Sequence, residues 1–316
     1  MPKGPSPFNH TAYAHSFVQS YLKSLTLPQN FGNMVRYILT LSYRGAALSG
    51  WQSQKNAVTV QGELDRALGI LLGQSVQTVG AGRTDAGVNA VNYVCHFDAS
   101  ETFHLTKQDF LYKINAITRR DIVVHDIEPA PLQAPLSEGS EPAGECIPES
   151  PAEESPAPEF HARFSATLRQ YRYFLHSAKD PFAEGFSWRC PYPLDTDAMN
   201  RAAALLLGEH DFSCFEKTGG NNSTSICTVF KAQWERYTPQ HCSLLGFPDD
   251  GGYLVFTVEA NRFLRNMVRA IVGTLVDVGR GRRSPESVGE LLQSGKRSDA
   301  GESVPGTALF LSKIRY

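Results

Sequence analysis

The residues best suited to chemistry lie in one short stretch, Gly80-Ala81-Gly82-Arg83-Thr84-Asp85-Ala86-Gly87-Val88-Asn89-Ala90. A carboxylate, Asp85, follows a cation, Arg83, by two residues, with glycines at 80, 82 and 87 around them. Glycine gives the backbone access to positive φ and lets a ligand approach closely. In so tight a loop the Arg83 guanidinium can lie against the Asp85 carboxylate and keep it ionised. An ionised carboxylate at a site can attack carbon or take a proton. The same residue types also build ordinary surface turns, with Asp85 bonding its own backbone and Arg83 in water. Two phosphate-loop readings fail. The stretch has no Gly-Lys-Ser/Thr, and its third glycine comes too late for G-x-G-x-x-G.

The elements around this loop must position it. Apolar runs at 76–79 and 91–97 flank it, so it reads as strand, glycine-rich turn, strand. Upstream, residues 34–43 alternate apolar and polar (Val35, Tyr37, Leu39, Leu41, Tyr43), a strand pattern. The loop 44–54 carries Gly45, Gly50, Trp51, Gln52 and Gln54, with Trp51 either closing the loop or facing a substrate. Thr59 caps a helix over 60–72 whose apolar face is Val60, Leu64, Ala67, Leu68 and Leu71. Thr106 with Asp109 forms a capping box for a helix through 117, and 122–128 reads as a strand. Strand, helix, strand, strand, helix, strand is a ferredoxin-like α+β order, the shape of RNA-recognition domains.

Composition bounds the class. The chain has 316 residues, 41% hydrophobic and 20% charged, as in soluble globular proteins of two domains. No apolar run is long enough to span a bilayer, and the first 33 residues lack a signal-peptide core, so the chain is expected in the cytoplasm and off the membrane. Six cysteines (Cys95, Cys146, Cys190, Cys214, Cys227, Cys242) show no C-x-x-C spacing, which argues against a zinc or redox site and suits a reducing compartment. The net charge of −2 hides an asymmetry. Residues 132–159 hold seven glutamates and no Lys or Arg, and setting them aside turns −2 into +5. The remainder is basic enough to permit RNA binding.

Four segments follow: an extension over 1–33 expected to be poorly ordered, an α+β half over 34–130 carrying the Asp85 loop, an acidic Pro/Glu-rich insertion over 131–159 that cannot bury enough to order itself, and a second α+β half over 160–316. The second half opens with Phe160-His161-Ala162-Arg163-Phe164-Ser165-Ala166 and an alternating strand over 167–176 containing Tyr171-Arg172-Tyr173. Thr196 caps a helix over 197–207, with Gly208 as its stop. His210 and Asp211 read as helix-end and turn hydrogen bonders before acid/base groups. Strands are expected over 226–237 and 253–260. A helix is expected from Phe263 toward Val278, with Leu264, Met267, Val268, Ile271, Val272 and Leu275 on one face and Arg265 and Arg269 on the other. Arg280, Arg282 and Arg283 form a basic knuckle suited to phosphate or to solubility. A short helix starts at Ser284-Pro285, and 304–311 ends as a strand.

Three of these stretches together resemble the tRNA pseudouridine synthase A family: Gly-Arg-Thr-Asp-Ala-Gly-Val at 82–88, Phe-His-Ala-Arg-Phe-Ser-Ala with Tyr-Arg-Tyr at 160–173, and the run around Arg269-Ala270-Ile271-Val272-Gly273. The resemblance covers residues 34–316 apart from the insertion. It implies isomerisation of uridine to pseudouridine at positions 38 to 40 of the tRNA anticodon stem-loop, with no cofactor and no metal. It implies that Asp85 is the nucleophile, that Tyr171 stacks on the flipped base, and that Arg269 pairs with the catalytic aspartate. It implies two α+β halves with mixed antiparallel sheets, an active-site cleft between them, and a homodimer with tRNA spanning both subunits. The chemistry agrees: a base stacked in a stem must be flipped out, a tyrosine gives it a flat face, and the fork of Arg83 suits an RNA phosphate. Two positions depart from the family pattern. Asn89 stands where histidine is usual, and Thr307-Ala308 where His-Gly is usual. The other readings are a tRNA-binding or tRNA-folding protein without catalysis, and a synthase for another RNA site.

Overall fold

Alternation in β1 (Met34–Tyr43) buries Leu39, Leu41 and Tyr43 and makes this strand the centre of the first half. The computed structural model describes residues 34–100, 105–130, 160–217, 219, 223–249, 252–294 and 296–316. The N-terminal extension and the acidic insertion, with Cys146, lie outside the described residues. After β1 come α1 (Val60–Leu72), β2 (Val79–Gly80), β3 (Asn89–Ser100), α2 (Lys107–Ile117) and β4 (Ile122–Pro129), in the expected order. The caps are those expected here. Thr59 Oγ1 accepts from Gly62 N at 3.2 Å, and Thr106 Oγ1 accepts from Asp109 N at 3.1 Å while its hydroxyl donates to the Asp109 carboxylate at 2.8 Å.

The second half runs β5 (Leu168–His176), β6 (Trp188–Arg189), α3 (Thr196–Ala204), β7 (Gly208–Asp211), β8 (Ile226–Arg236), α4 (Gln240–Leu245), β9 (Tyr253–Ala260), α5 (Met267–Gly279), α6 (Ser287–Ser294) and β10 (Leu309–Arg315). The α+β class is as expected. The two halves, however, do not keep separate sheets: one sheet runs β4-β1-β3-β10-β5-β9-β8-β7. The last strand makes the join. β10 pairs parallel with β3 at Phe310–Asn89 and Leu311–Ala90, and antiparallel with β5 at Leu309–Tyr173 and Leu311–Tyr171. The Asp85 loop, just before β3, and Tyr171 on β5 are thereby brought to one seam.

Several boundaries differ from the sequence reading. α3 ends at Ala204 with Leu205 as its cap, so Gly208 opens β7 and does not stop the helix. Three further differences have a local reason. Asp195, not Thr196, caps α3, because its carboxylate accepts from Ala198 N at 2.9 Å. α5 starts at Met267, not Phe263, because Asn266 sits in the left-handed region (φ 64°), through which a helix cannot run. The final strand starts at Leu309, not 304, because Gly306–Ala308 form a turn of 3-10 helix after Pro305.

α5 is the helix that matters for the site. It is buried along its length except at Arg269 and Asp277, so it is apolar all round and not a two-faced surface helix. Each of its buried Ile, Val and Leu side chains contributes ~1.5–3 kcal/mol over an exposed one. Gly273 allows a second segment to cross it: a Cβ there would lie 1.8 Å from the Glu302 carbonyl oxygen. Gly301 N donates to Thr274 Oγ1 at 2.8 Å, which pins the crossing. Residues 301–304 are thus fixed against the start of α5.

Candidate active site

The Asp85 loop is held by what surrounds it, residue by residue. Gly80 pairs with Cys95 on β3, and a Cβ at Gly80 would collide with the Tyr93 hydroxyl and the Trp51 ring. Ala81 N donates to Val94 O at 2.9 Å. The Tyr93 hydroxyl donates to Gly82 O. Thr84 is buried and shares a 2.8 Å hydrogen bond with the Tyr43 hydroxyl. Trp51 N donates to Thr84 O at 3.2 Å, with Gly50 (φ 87°) packed so close that a Cβ would lie 2.3 Å from that same oxygen. The 44–54 loop therefore clamps the Asp85 loop. Trp51 is buried and its ring lies 4.4 Å from that of Tyr93, so it closes the loop and does not face a substrate.

Asp85 is left partly open between these anchors, its side chain 29% exposed. The cation that faces it is Arg269, whose Nη1 lies 3.7 Å from Asp85 Oδ2. Arg269 is itself fixed: its Nε donates to Val304 O at 2.6 Å, the carbonyl that the crossing over α5 positions. Arg269 thus points out of a buried helix toward the carboxylate and does not line a solvated face. Arg83 turns elsewhere. It is exposed, and its Nε donates to Gln52 Oε1 at 3.1 Å. The expected pairing of Arg83 with Asp85 gives way to Arg269, because the clamped turn aims the two loop side chains apart.

Tyr171 completes the group. It is 8% exposed and meets Phe263 edge to face, ring centroids 5.1 Å apart. Burial, and then the negative charge of Asp85, push its phenol pKa up. Its hydroxyl is therefore a neutral group and no base at ordinary pH. Asp85, Arg269 and Tyr171 are thus brought together, and Arg83 stands at the rim.

Two contributors were not singled out from the sequence. Arg169, two residues before Tyr171 and so on the same face of β5, spends its guanidinium on carbonyls: Ala81 O (3.2 and 2.8 Å), Ala166 O (3.2 Å), Asn261 O (2.8 Å) and Arg163 O (2.6 Å). It ties the start of the Asp85 loop to β5. The signal was the two-residue spacing. Phe263, expected inside a helix, instead backs Tyr171.

The two departures also acquire places. Asn89 is 2% exposed; its Oδ1 accepts from Gly45 N at 2.9 Å and its Nδ2 donates to Thr307 O at 2.7 Å. It is an internal strut between β3 and the turn before β10. Ala308 is fully buried. The other motif residues are occupied as well. His210 and Asp211 lie on β7 and not at a helix end: His210 Nε2 is 2.8 Å from Leu207 O, and Asp211 accepts from Ser213 N at 2.8 Å in the turn that follows. Of the basic knuckle, Arg280 lies 3.6 Å over the Tyr192 ring and Arg282 pairs with Asp277 at 3.5 Å. The five described cysteines are free and buried. Among the described residues, no helix is long and apolar enough to cross a membrane.

Comparison with known proteins gives the family. A family model described as tRNA pseudouridine synthase matches residues 202–316. The chain is 38% identical to the tRNA pseudouridine synthase A of Parabacteroides distasonis, over 90% of this chain and 96% of that protein. It is 37% identical to that of Bacteroides fragilis (89% and 96%) and 34% identical to that of Thermoanaerobacter pseudethanolicus (90% and 100%). With matches that span nearly the whole of both chains, and with Asp85, Tyr171 and Arg269 gathered at one seam of the sheet, the chain belongs to the tRNA pseudouridine synthase A family.

Proposed function

We propose that this protein converts uridine to pseudouridine in tRNA, at positions 38, 39 and 40 of the anticodon stem-loop, with Asp85 as the nucleophile. The observation that carries this reading is the partly open Asp85 carboxylate facing Arg269 at 3.7 Å beside the Tyr171 ring, on a loop clamped from three sides.

The reaction breaks the C1′–N1 bond, turns the uracil and forms C1′–C5, with a proton lost from C5 and one gained at N1. It is an isomerisation with no net oxidation. The target base leaves its stack before it can reach the carboxylate. Asp85 then attacks the sugar carbon or takes a proton from the sugar. Arg269 holds the carboxylate in place with a forked cationic donor. Tyr171 offers the flipped base a flat face. Arg83, at the exposed rim, takes an RNA phosphate. The protein works in the cytoplasm as a homodimer, with one tRNA spanning both subunits; the support for this is the resemblance of the three motifs.

The test is pseudouridine mapping of a bulk unmodified tRNA pool incubated with the protein and no added cofactor. Signal confined to the anticodon arm is expected. Signal at another tRNA position would move the target site, and tRNA binding without any signal would favour a non-catalytic binder.

A further inference from the structure

Beside the Asp85 site lies a cavity of about 300 Å3, lined by Lys217, Asn266, Arg269, Arg297 and Ser303. That volume is at the small end of ligand pockets (~300–1,000 Å3). Three of the five lining side chains are cations and none is a carboxylate. The walls are tied to one another. Ser303 Oγ accepts from Arg297 Nη2 at 3.0 Å and from Asn266 Nδ2, and Arg297 Nη1 donates to Gly301 O at 3.1 Å. Arg297 has five donors and these two bonds leave others for a ligand. Lys217 is exposed at the mouth, anchored by its own backbone N to Arg265 O at 3.0 Å. Arg269 belongs to both places, facing Asp85 with Nη1 and lining the cavity.

Clustered cations repel one another, and the carboxylate that offsets Arg269 is Asp85, outside the lining. Among the described residues the lining holds no ring on which a base could stack, so it does not suit a nucleobase. It suits a compact, doubly oxygenated anion gripped by a guanidinium fork and an ammonium. The phosphates of a nucleotide hang from the same ribose as its glycosidic carbon. An anion bound one guanidinium away from Asp85 is therefore one that flanks the target nucleotide.

We propose that Lys217 and Arg297, with Asn266 and Ser303, form a phosphodiester subsite that grips the tRNA backbone next to the flipped uridine. Arg269 bridges this subsite to the catalytic carboxylate. The proposal rests on the function argued above and adds positioning residues to it. Once the backbone is held there, the sugar is presented to Asp85 in one orientation, and part of the cost of flipping is offset by the phosphate interaction.

The salt dependence of binding to unmodified tRNA tests this without requiring turnover. Each phosphate that is no longer neutralised lowers the slope of log K against log salt by about 0.7–0.9. Lys217→Ala is expected to lower that slope by the amount due to one phosphate and to weaken binding several-fold, with the fall in turnover appearing in KM more than in kcat. Lys217→Arg restores the slope. Arg297→Lys, which keeps the charge but not the fork, is expected to raise KM while leaving the slope near wild type. An unchanged slope in Lys217→Ala overturns the proposal. So does saturable binding of inorganic phosphate that Lys217→Ala abolishes while tRNA binding stays intact, since the site would then serve a free anion. A wild-type protein that binds tRNA but makes no pseudouridine would count against the proposed function, and the slope would still decide the subsite.

Discussion

Under the proposed function Asp85 and Tyr171 carry different parts of the work, and each would leave a separate signature. Tyr171 is nearly enclosed, backed by Phe263 at 5.1 Å, and holds its proton because burial and the charge of Asp85 both disfavour the phenolate. Its use to the site is therefore the ring and not the hydroxyl. Tyr171→Phe is expected to keep KM for tRNA within about twofold of wild type. Tyr171→Leu is expected to raise it about tenfold, the usual effect of removing one aromatic stacking partner. Steady-state kinetics on a single tRNA separates the two, and equal behaviour would remove stacking from the role of Tyr171. Arg269 is similarly divided, one nitrogen on Val304 O and another toward Asp85. A lysine there could not serve both.

At the scale of elements, the carboxylate is placed by loops and the arginine by a helix crossing. Gly273 permits residues 301–304 to lie against α5, and those residues supply Val304 O to Arg269. Gly273→Ala would set a methyl group 1.8 Å from Glu302 O, so the crossing must open. The expected cost is about 1–3 kcal/mol in stability, the usual size of overpacking. A fall in kcat larger than the fall in folded fraction should accompany it. Urea unfolding and kcat measured on one preparation check both, and wild-type values for the pair would sink the crossing argument. The sequence made local features readable: the caps at Thr59 and Thr106, the alternation of β1 and β5, and the glycine turn around Asp85 rest on neighbours a few residues away. It hid what depends on distant partners. Nothing local marks Asn89 as a strut to Thr307 or turns Arg83 to Gln52, and the pairing of Arg269 with Asp85 was expected from the family resemblance alone. The start of α5 was misread because apolar spacing continues through Asn266, while the left-handed backbone there breaks the helix.

The strands of the described residues form one sheet made from two halves, and β10 is not the only join. Arg36 Nη1 donates to Phe160 O at 3.0 Å, and His96 Nδ1 accepts from Ala162 N at 3.1 Å. His96 is 3% exposed; burial first, then the charges of Arg36 and His161, push its pKa down to about 4, against a smaller upward pull from Asp98. The folded protein holds this histidine neutral, whereas the unfolded chain protonates it near 6.5. Its contribution is therefore fully present above pH 6.5 and is lost as pH falls toward 4. Between pH 7 and pH 5 the loss is about 2 kcal/mol. His96→Asn, which keeps an acceptor but does not titrate, should flatten that part of the profile in urea unfolding. An unchanged profile would mean that other groups carry the acid sensitivity.

These scales meet in the claim that the Asp85 carboxylate does the chemistry on a substrate that the rest of the molecule presents to it. The most direct measurement is single-turnover pseudouridine formation by Asp85→Asn on a synthetic anticodon stem-loop, with binding of the same RNA measured alongside. The amide keeps the shape of the side chain and removes its charge and nucleophilicity. The expected result is binding within a few-fold of wild type and no pseudouridine above the no-enzyme background. Turnover within tenfold of wild type would contradict the assignment and move the chemistry to another group.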